Sequence, residues 1–210
     1  MDRAINNFFV QVIPMERDVA ELRSELLRKT IHFLIALAPS MAAINKTATI
    51  AVLMIGTLGY TLMEYLRLSG VKVPVISSIT RMASRPRDFD HFVMGPVTLG
   101  LGALLALLLY PSVAAAIAIY ALAFGDGIAS LAGKFFGKWR PAFLSGKSVE
   151  GSLACFAVVL IGAYAVSGSM SIAFIAAFTA MVVEALPLED YDNLAIPVTV
   201  GLVVQCSLAA

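Results

Sequence analysis

Long apolar runs separated by short polar breaks fill most of this chain, and the breaks recur at intervals that suit membrane-crossing helices. Residues 14–29 differ. There Val19, Leu22, Leu26 and Leu27 recur at helical spacing among charges, which predicts an amphipathic helix lying on a membrane surface. Seven apolar segments follow, at 30–44, 47–66, 92–109, 112–124, 152–166, 171–186 and 193–206. A crossing helix needs about 20 apolar residues, so the shorter segments must extend into their flanks or cross a thinned region. The expected fold is all-α and polytopic. It has about seven transmembrane helices in one domain over 30–210, behind a cytoplasmic amphipathic segment over 1–29. The spans leave cytoplasmic loops at 67–91, 125–151 and 187–193.

Composition agrees with this pattern. Hydrophobic residues make up 60% and charged residues 14%, whereas soluble domains carry about 25% charged residues. Residues 5–13 are apolar but broken by Asn6, Asn7 and Gln11, with no small-residue cleavage site, so they do not read as a signal peptide. The two cysteines, Cys155 and Cys206, fall near opposite membrane faces, which predicts no disulfide and no metal–thiolate chemistry.

The distribution of charge sets the orientation. With a cytoplasmic N-terminus and seven spans, 14 of the 15 basic residues lie inside and only Lys46 lies outside. The acids sort the same way, because Asp126, Glu150, Glu184, Glu189, Asp190 and Asp192 fall at the cytoplasmic ends of spans four to seven. The outer turns, Tyr110-Pro111 and residues 167–169, are short and uncharged. A channel or carrier would more often set polar groups at mid-membrane. The loop at 67–91 holds Pro74, Pro86 and several arginines, and reads as solvated or bound to lipid headgroups.

Candidate chemistry gathers at 124–151. Span four offers about 13 apolar residues before Gly125, roughly 20 Å of helix against a core of roughly 30 Å. Asp126 then lies below the headgroups, where a carboxylate needs a wet cavity, a cation or a metal. If the helix runs on, then Asp126, Ser130, Gly133 and Gly137 share one face beside Lys134. Such a face suits close packing by another helix and close approach by a nucleotide equally well. Gly146, Lys147 and Ser148 precede span five and can point backbone N–H groups and an ammonium at phosphate oxygens, with Glu150 on the Lys147 face. Glu184, Glu189, Asp190 and Asp192 supply acids near this basic segment, and Mg²⁺ shares such ligands with phosphates, although Glu189 also reads as a solvated loop acid. Arg28, Lys29 and His32 form a further cluster at the cytoplasmic edge, the two cations as snorkelling anchors or phosphate ligands and His32 as a satisfied helix histidine or a donor to phosphate. Glu64, one turn before Arg67, reads as a local ion pair.

Taken in order, RKTIHF at 28–33, FGDGIASLAGKFFGK at 124–138, SGKSVEGS at 145–152 and EALPLEDYDNLAIP at 184–197 resemble the dolichol kinase and phytol kinase family, which includes CTP-dependent diacylglycerol kinases. The resemblance runs from Glu25 over nearly the whole chain. Its middle two motifs are shared with phosphatidate cytidylyltransferase. The Asp192-Asn193-Leu194 element before Pro197 resembles the kinase branch, and the His-Gly-Gly and Asp-Arg signature of the cytidylyltransferase is absent.

The resemblance implies transfer of the γ-phosphate of CTP to a lipid alcohol with Mg²⁺. It implies that Asp126, Lys147 and Glu150 belong to the nucleotide site and that Glu184 and Asp192 complete it. The residue reading gives catalytic roles to Asp126, Lys147, Glu150 and Asp192, with Asp126 or Asp192 as base, and Mg²⁺ to some of Asp126, Glu184 and Asp192. The resemblance also implies a nucleotide site including Lys134, Gly137 and Asn193. The reading of the residues adds Gly133, Lys138, Gly146, Ser148, Lys29 and His32 to that site. The expected partners are CTP, a membrane lipid alcohol and the bilayer, with no nucleic acid; homo-oligomerisation is left open. The competing expectations are a diacylglycerol kinase, a cytidylyltransferase making a CDP-lipid, and a lipid or ion transporter. Thr98 and Ser112 are too few and too mild to line a transport path, and no internal repeat is found.

Overall fold

The computed structural model describes residues 15–71, 73, 91–141, 144 and 146–209, with side chains from Ser24 onward. Most of the loop expected at 67–91 lies outside the described residues, as do the first 14 residues and Ser145. Among the described residues the chain is all-helical, with no strand.

Helix α1 spans Met15–Leu34 and consists largely of strong helix formers. A 3₁₀ turn, Ile35–Leu37, joins it to α2, Ala38–Leu68, whose first turn carries Pro39. The break expected near residue 29 is therefore absent. The charged helix runs straight on into apolar sequence, and its Lys29 and His32 turn inward and are buried. The break expected near residues 45–46 does exist, as a kink. Asn45 leaves helical geometry (φ −153°, ψ 99°), and its side-chain oxygen accepts the Ala48 N–H at 3.0 Å, capping the segment that follows.

After the 67–91 region, α3 spans Gly95–Leu109 and α4 spans Ser112–Tyr120. A π-helical turn, Ala121–Asp126, leads without interruption into α5, Gly127–Phe136. Span four was expected to end at residue 124, yet the helical run continues to Phe136 and carries Asp126 into the interior. Ser148 caps α6, Val149–Ser167, and Gly168 ends it in the left-handed region at φ 67°. Ser169 caps α7, Met170–Ala185; a 3₁₀ turn, Glu189–Tyr191, then leads to α8, Asp192–Ala209.

Among the described residues four helical runs are long and apolar enough to cross a membrane: Ser24–Leu68, Ser112–Phe136, Val149–Ser167 and Glu189–Ala209. Gly95–Leu109 and Met170–Ala185 are apolar but shorter. By length and apolarity four spans are supported among the described residues, short of the expected seven. The first of these runs is 45 residues long and contains the Asn45 kink. Large apolar side chains such as Ile44, Ile55 and Ile161 are exposed on the outside, consistent with a membrane protein.

The centre of the bundle is α4 with its π turn. Ile117, Ile119 and Leu122 are fully buried there among small residues, including Ala118, Ala121 and Ala123. Small residues let neighbouring helices approach closely. One such approach shapes the site. Pro197 of α8 lacks an N–H, so it cannot donate to the Asn193 carbonyl four residues earlier. Gly102 of α3 packs against that carbonyl, where any Cβ would collide with it. Gly102→Ala is expected to lower stability by about 1–3 kcal/mol through overpacking, read as an earlier unfolding transition in detergent. An unchanged transition would mean that α3 and α8 are not in close contact here.

The pair expected between Glu64 and Arg67 is present at 2.8 Å, with Glu64 fully buried. Glu64 also accepts the Val93 N–H at 3.0 Å, and Arg67 donates to the His91 carbonyl at 3.0 Å. The pair therefore fixes where the chain re-enters the bundle ahead of α3.

Candidate functional site

A cavity of about 620 Å³ lies among α1, α3, α5, the start of α6 and the α7–α8 connection. Residues from all the singled-out segments meet in it. Lys29 and His32 arrive on α1, Asp126, Gly133 and Lys134 on the π turn and α5. Gly146, Lys147 and Ser148 come from the turn before α6. Glu184, Asp192 and Asn193 come from the end of α7 and the start of α8. Gly137, Lys138 and Glu150 do not line it.

Asp126 is buried and meets the Lys29 ammonium at 2.7 Å. His32 Nε2 lies 3.4 Å from the same carboxylate and 2.8 Å from the Leu122 carbonyl. A π turn disrupts the regular i→i−4 ladder. Leu122 lies inside that turn, and a carbonyl only accepts, so His32 Nε2 carries the proton it donates there. The π turn thus brings Asp126 inward and locks α1 onto α4 through His32. Next to this pair, Glu25 accepts Arg28 at 2.6 Å and the Ser130 hydroxyl at 2.7 Å, tying α1 to α5. Glu25 was not anticipated; its only sequence signal was the three-residue spacing to Arg28.

Lys147 stands between two acids. Its ammonium lies 3.3 Å from the Glu184 carboxylate and 3.8 Å from that of Asp192, and donates to the Glu184 backbone carbonyl. Both acids are buried. Ser152 donates to the second Glu184 oxygen at 3.3 Å. One ammonium therefore faces two carboxylates held by different helices.

Of the amides expected to cradle phosphate before α6, that of Lys147 is engaged, as are two that follow it. Lys147 N–H donates to Leu144, Val149 N–H to Trp139, and Gly151 N–H to the Ser148 hydroxyl. Ser148 is thus the helix cap, and the Lys147 ammonium is the group this turn presents to the cavity. Glu150 accepts the Lys138 and Trp139 N–H groups at 3.0 and 3.1 Å, which places it as the clasp of the turn between α5 and α6. Lys138 is exposed. Gly137 packs where a Cβ would strike the Gly133 carbonyl and the Ser148 side chain, which is the helix-packing role. Arg140, weighed only as one basic residue among many, lines the cavity; it donates to the Gly133 carbonyl at 2.6 Å and to the Gly146 carbonyl at 2.5 Å.

Among the described residues no three His, Cys, Asp or Glu side chains gather into a metal-holding group. Asp126, Glu184 and Asp192 are not assembled as one set: Lys29 satisfies the first, and Lys147 separates the other two. Mg²⁺ commonly needs only one or two carboxylates when phosphates supply the remaining oxygens, and Glu184 with Asp192 fits that requirement.

The rest of the wall is mixed: Arg28, Glu189 and Asp190 also line it, beside an uncharged stretch. Ile31, Tyr60, Val93, Pro96 and Leu99 form that stretch. The cavity can therefore take a molecule with an anionic part and an apolar part. No protein-family model, curated protein or solved structure matches this chain, so the functional reading rests on the motifs and on this geometry.

Proposed function

We propose that this chain is a membrane-embedded kinase that transfers the γ-phosphate of CTP to the hydroxyl of an isoprenoid or polyprenol alcohol at the cytoplasmic face. The observation that carries the reading is the convergence of the four resemblance-bearing segments on one cavity, with Lys147 between Glu184 and Asp192. Phosphoryl transfer needs mainly positioning and charge neutralisation, and these residues offer both. On this reading the chain crosses seven times: the Asn45 kink divides the first long run, and the two shorter apolar helices also cross. The basic loops then face the cytoplasm, where CTP is dissolved.

In the reaction the alcohol oxygen attacks the γ-phosphorus, the bond to the β-phosphate oxygen breaks, and CDP leaves. Asp192 accepts the hydroxyl proton; its 3.8 Å separation from Lys147 is beyond hydrogen-bond length, which favours it over Asp126, held by Lys29 at 2.7 Å. Lys147 and Lys134 neutralise charge on the transferring group. Magnesium held by Glu184 together with phosphate oxygens would supply the remaining neutralisation.

The test is product analysis with purified protein, CTP or ATP, and a panel of geranylgeraniol, phytol, a polyprenol and diacylglycerol. CDP plus a prenyl monophosphate is the expected result. Pyrophosphate plus a CDP-lipid from a phosphorylated lipid would instead make it a cytidylyltransferase. Phosphorylated diacylglycerol alone would move the acceptor class.

A further inference from the structure

We infer that the side-chain carbonyl of Asn193 is the docking point for the acceptor's hydroxyl group, at the part of the cavity wall built by α3; the inference rests on the kinase reading above. Asn193 is the second residue of α8 and is 6% exposed. Its amide nitrogen donates to the Thr98 hydroxyl at 3.0 Å and lies 3.4 Å from the Gly95 carbonyl, both on α3. Thr98 in turn donates to the carbonyls of Gly95 and Met94, at 3.0 and 3.2 Å, so its oxygen is free to accept the amide. The Gly95 carbonyl cannot donate, which fixes the amide orientation with nitrogen toward α3.

The other end of this amide, Oδ1, is the one buried side-chain polar atom without a partner among the described residues. A buried acceptor without a partner is destabilising, and such atoms in folded proteins call for a specific explanation. Asn193 lines the cavity, so a bound molecule can supply the missing donor. Ionised phosphate oxygens offer no proton, and in CTP only the ribose hydroxyls and the cytosine amine donate, which the nucleotide arm of the test below distinguishes. An alcohol O–H offers one. Pro96 and Leu99 on the same helix, with Tyr60 and Val93, give the hydroxyl's hydrocarbon chain an uncharged wall. Asp192 lines the same cavity, so the carboxylate that takes the proton opens onto the space that holds the hydroxyl. In the resting complex the O–H points to Asn193; as the new O–P bond forms it turns to Asp192. This moves Asn193 from the nucleotide to the acceptor.

The experiment compares geranylgeraniol with its methyl ether, which keeps the tail and the oxygen but has no proton to donate. Each displaces radiolabelled geranylgeraniol from the full-length protein in nanodiscs, without nucleotide. The unaltered protein is expected to favour the alcohol by about tenfold, the size of one such hydrogen bond. Asn193→Ala should bring the ratio to about one. Thr98→Val, which frees the amide to turn while keeping the helix, should reduce it partway and serves if the first variant does not fold. With CTP present, Asn193→Ala should raise the alcohol KM about tenfold and leave the CTP KM within about twofold. A wild-type protein that binds alcohol and ether equally overturns the inference. So does an Asn193→Ala protein with an unchanged ratio, or one whose demand for CTP or Mg²⁺ rises instead. Binding is read without turnover, so absence of any lipid phosphate product would sink the kinase reading separately from the binding result.

Discussion

Replacing Lys29 with Met is expected to destabilise the protein by about 3–5 kcal/mol, the usual consequence of stranding one charge of a buried pair. Lys29 and Asp126 are 3% and 8% exposed and meet at 2.7 Å. Without the ammonium, the Asp126 carboxylate remains inside the bundle with no cation in contact except a protonated His32. That imidazole already donates to the Leu122 carbonyl and lies 3.4 Å from the carboxylate, so it is a poor substitute. Asp126→Asn strands the opposite charge and should also destabilise. The double variant, Lys29→Met with Asp126→Asn, removes both charges and should recover most of the loss, since neutral replacements of a buried pair are often close to neutral. Unfolding transitions of the three variants in detergent decide this. If each single variant shifts stability by less than about 1 kcal/mol, the pair is wet and behaves as a surface ion pair. The double variant also isolates catalysis: a stable protein without turnover would mean that this pair does more than hold α1 in place.

The Lys29–Asp126 pair also illustrates what one sequence can and cannot tell. The depth of Asp126 followed from the shortness of the apolar segment before it, and the need for a cation partner followed from the depth. The identity of that cation did not, because Lys29 lies 97 residues away and local spacing carries no information across that distance. The helix boundary was misjudged for a related reason. The apolar segment ends at residue 124, yet the helical run passes through Gly125 and Asp126 as a π turn, held by His32 from α1. Tertiary contacts, not local propensity, decide such cases. The kink at Asn45 was visible as a gap in the apolar pattern because its cause is local, an asparagine that caps the segment after it. Gly137 and Glu150 sit in motif segments but serve the turn itself, one by leaving room for Ser148 and the other by clasping Lys138 and Trp139. Motif spacing marks such residues without distinguishing those that face a ligand from those that shape the loop around it.

On the proposed kinase reading, Lys147→Ala is expected to lower kcat by about 10²–10³, the range seen when one preorganised charge-stabilising donor is removed, with little loss of fold. The contrast with Lys29 comes from exposure. The Lys147 side chain is 26% exposed against 4% for Lys29, so water reaches its place once the ammonium is gone. Glu184 keeps the Ser152 hydroxyl at 3.3 Å as a partner, which limits the structural cost. Catalysis has no such substitute. At 3.3 and 3.8 Å from two acids on different helices, the ammonium holds both at the cavity, and on the kinase reading it is the charged N–H donor that this turn offers to an incoming triphosphate. Arginine keeps the charge but not the compact tetrahedral head, so Lys147→Arg should recover only part of the rate. Turnover of CTP with geranylgeraniol, measured beside the unfolding transition of each variant, separates the two effects. A Lys147→Ala protein within about fivefold of the original kcat would mean that the charge acting on the phosphate in transfer comes from elsewhere on the wall, with Lys134 the next cation to replace.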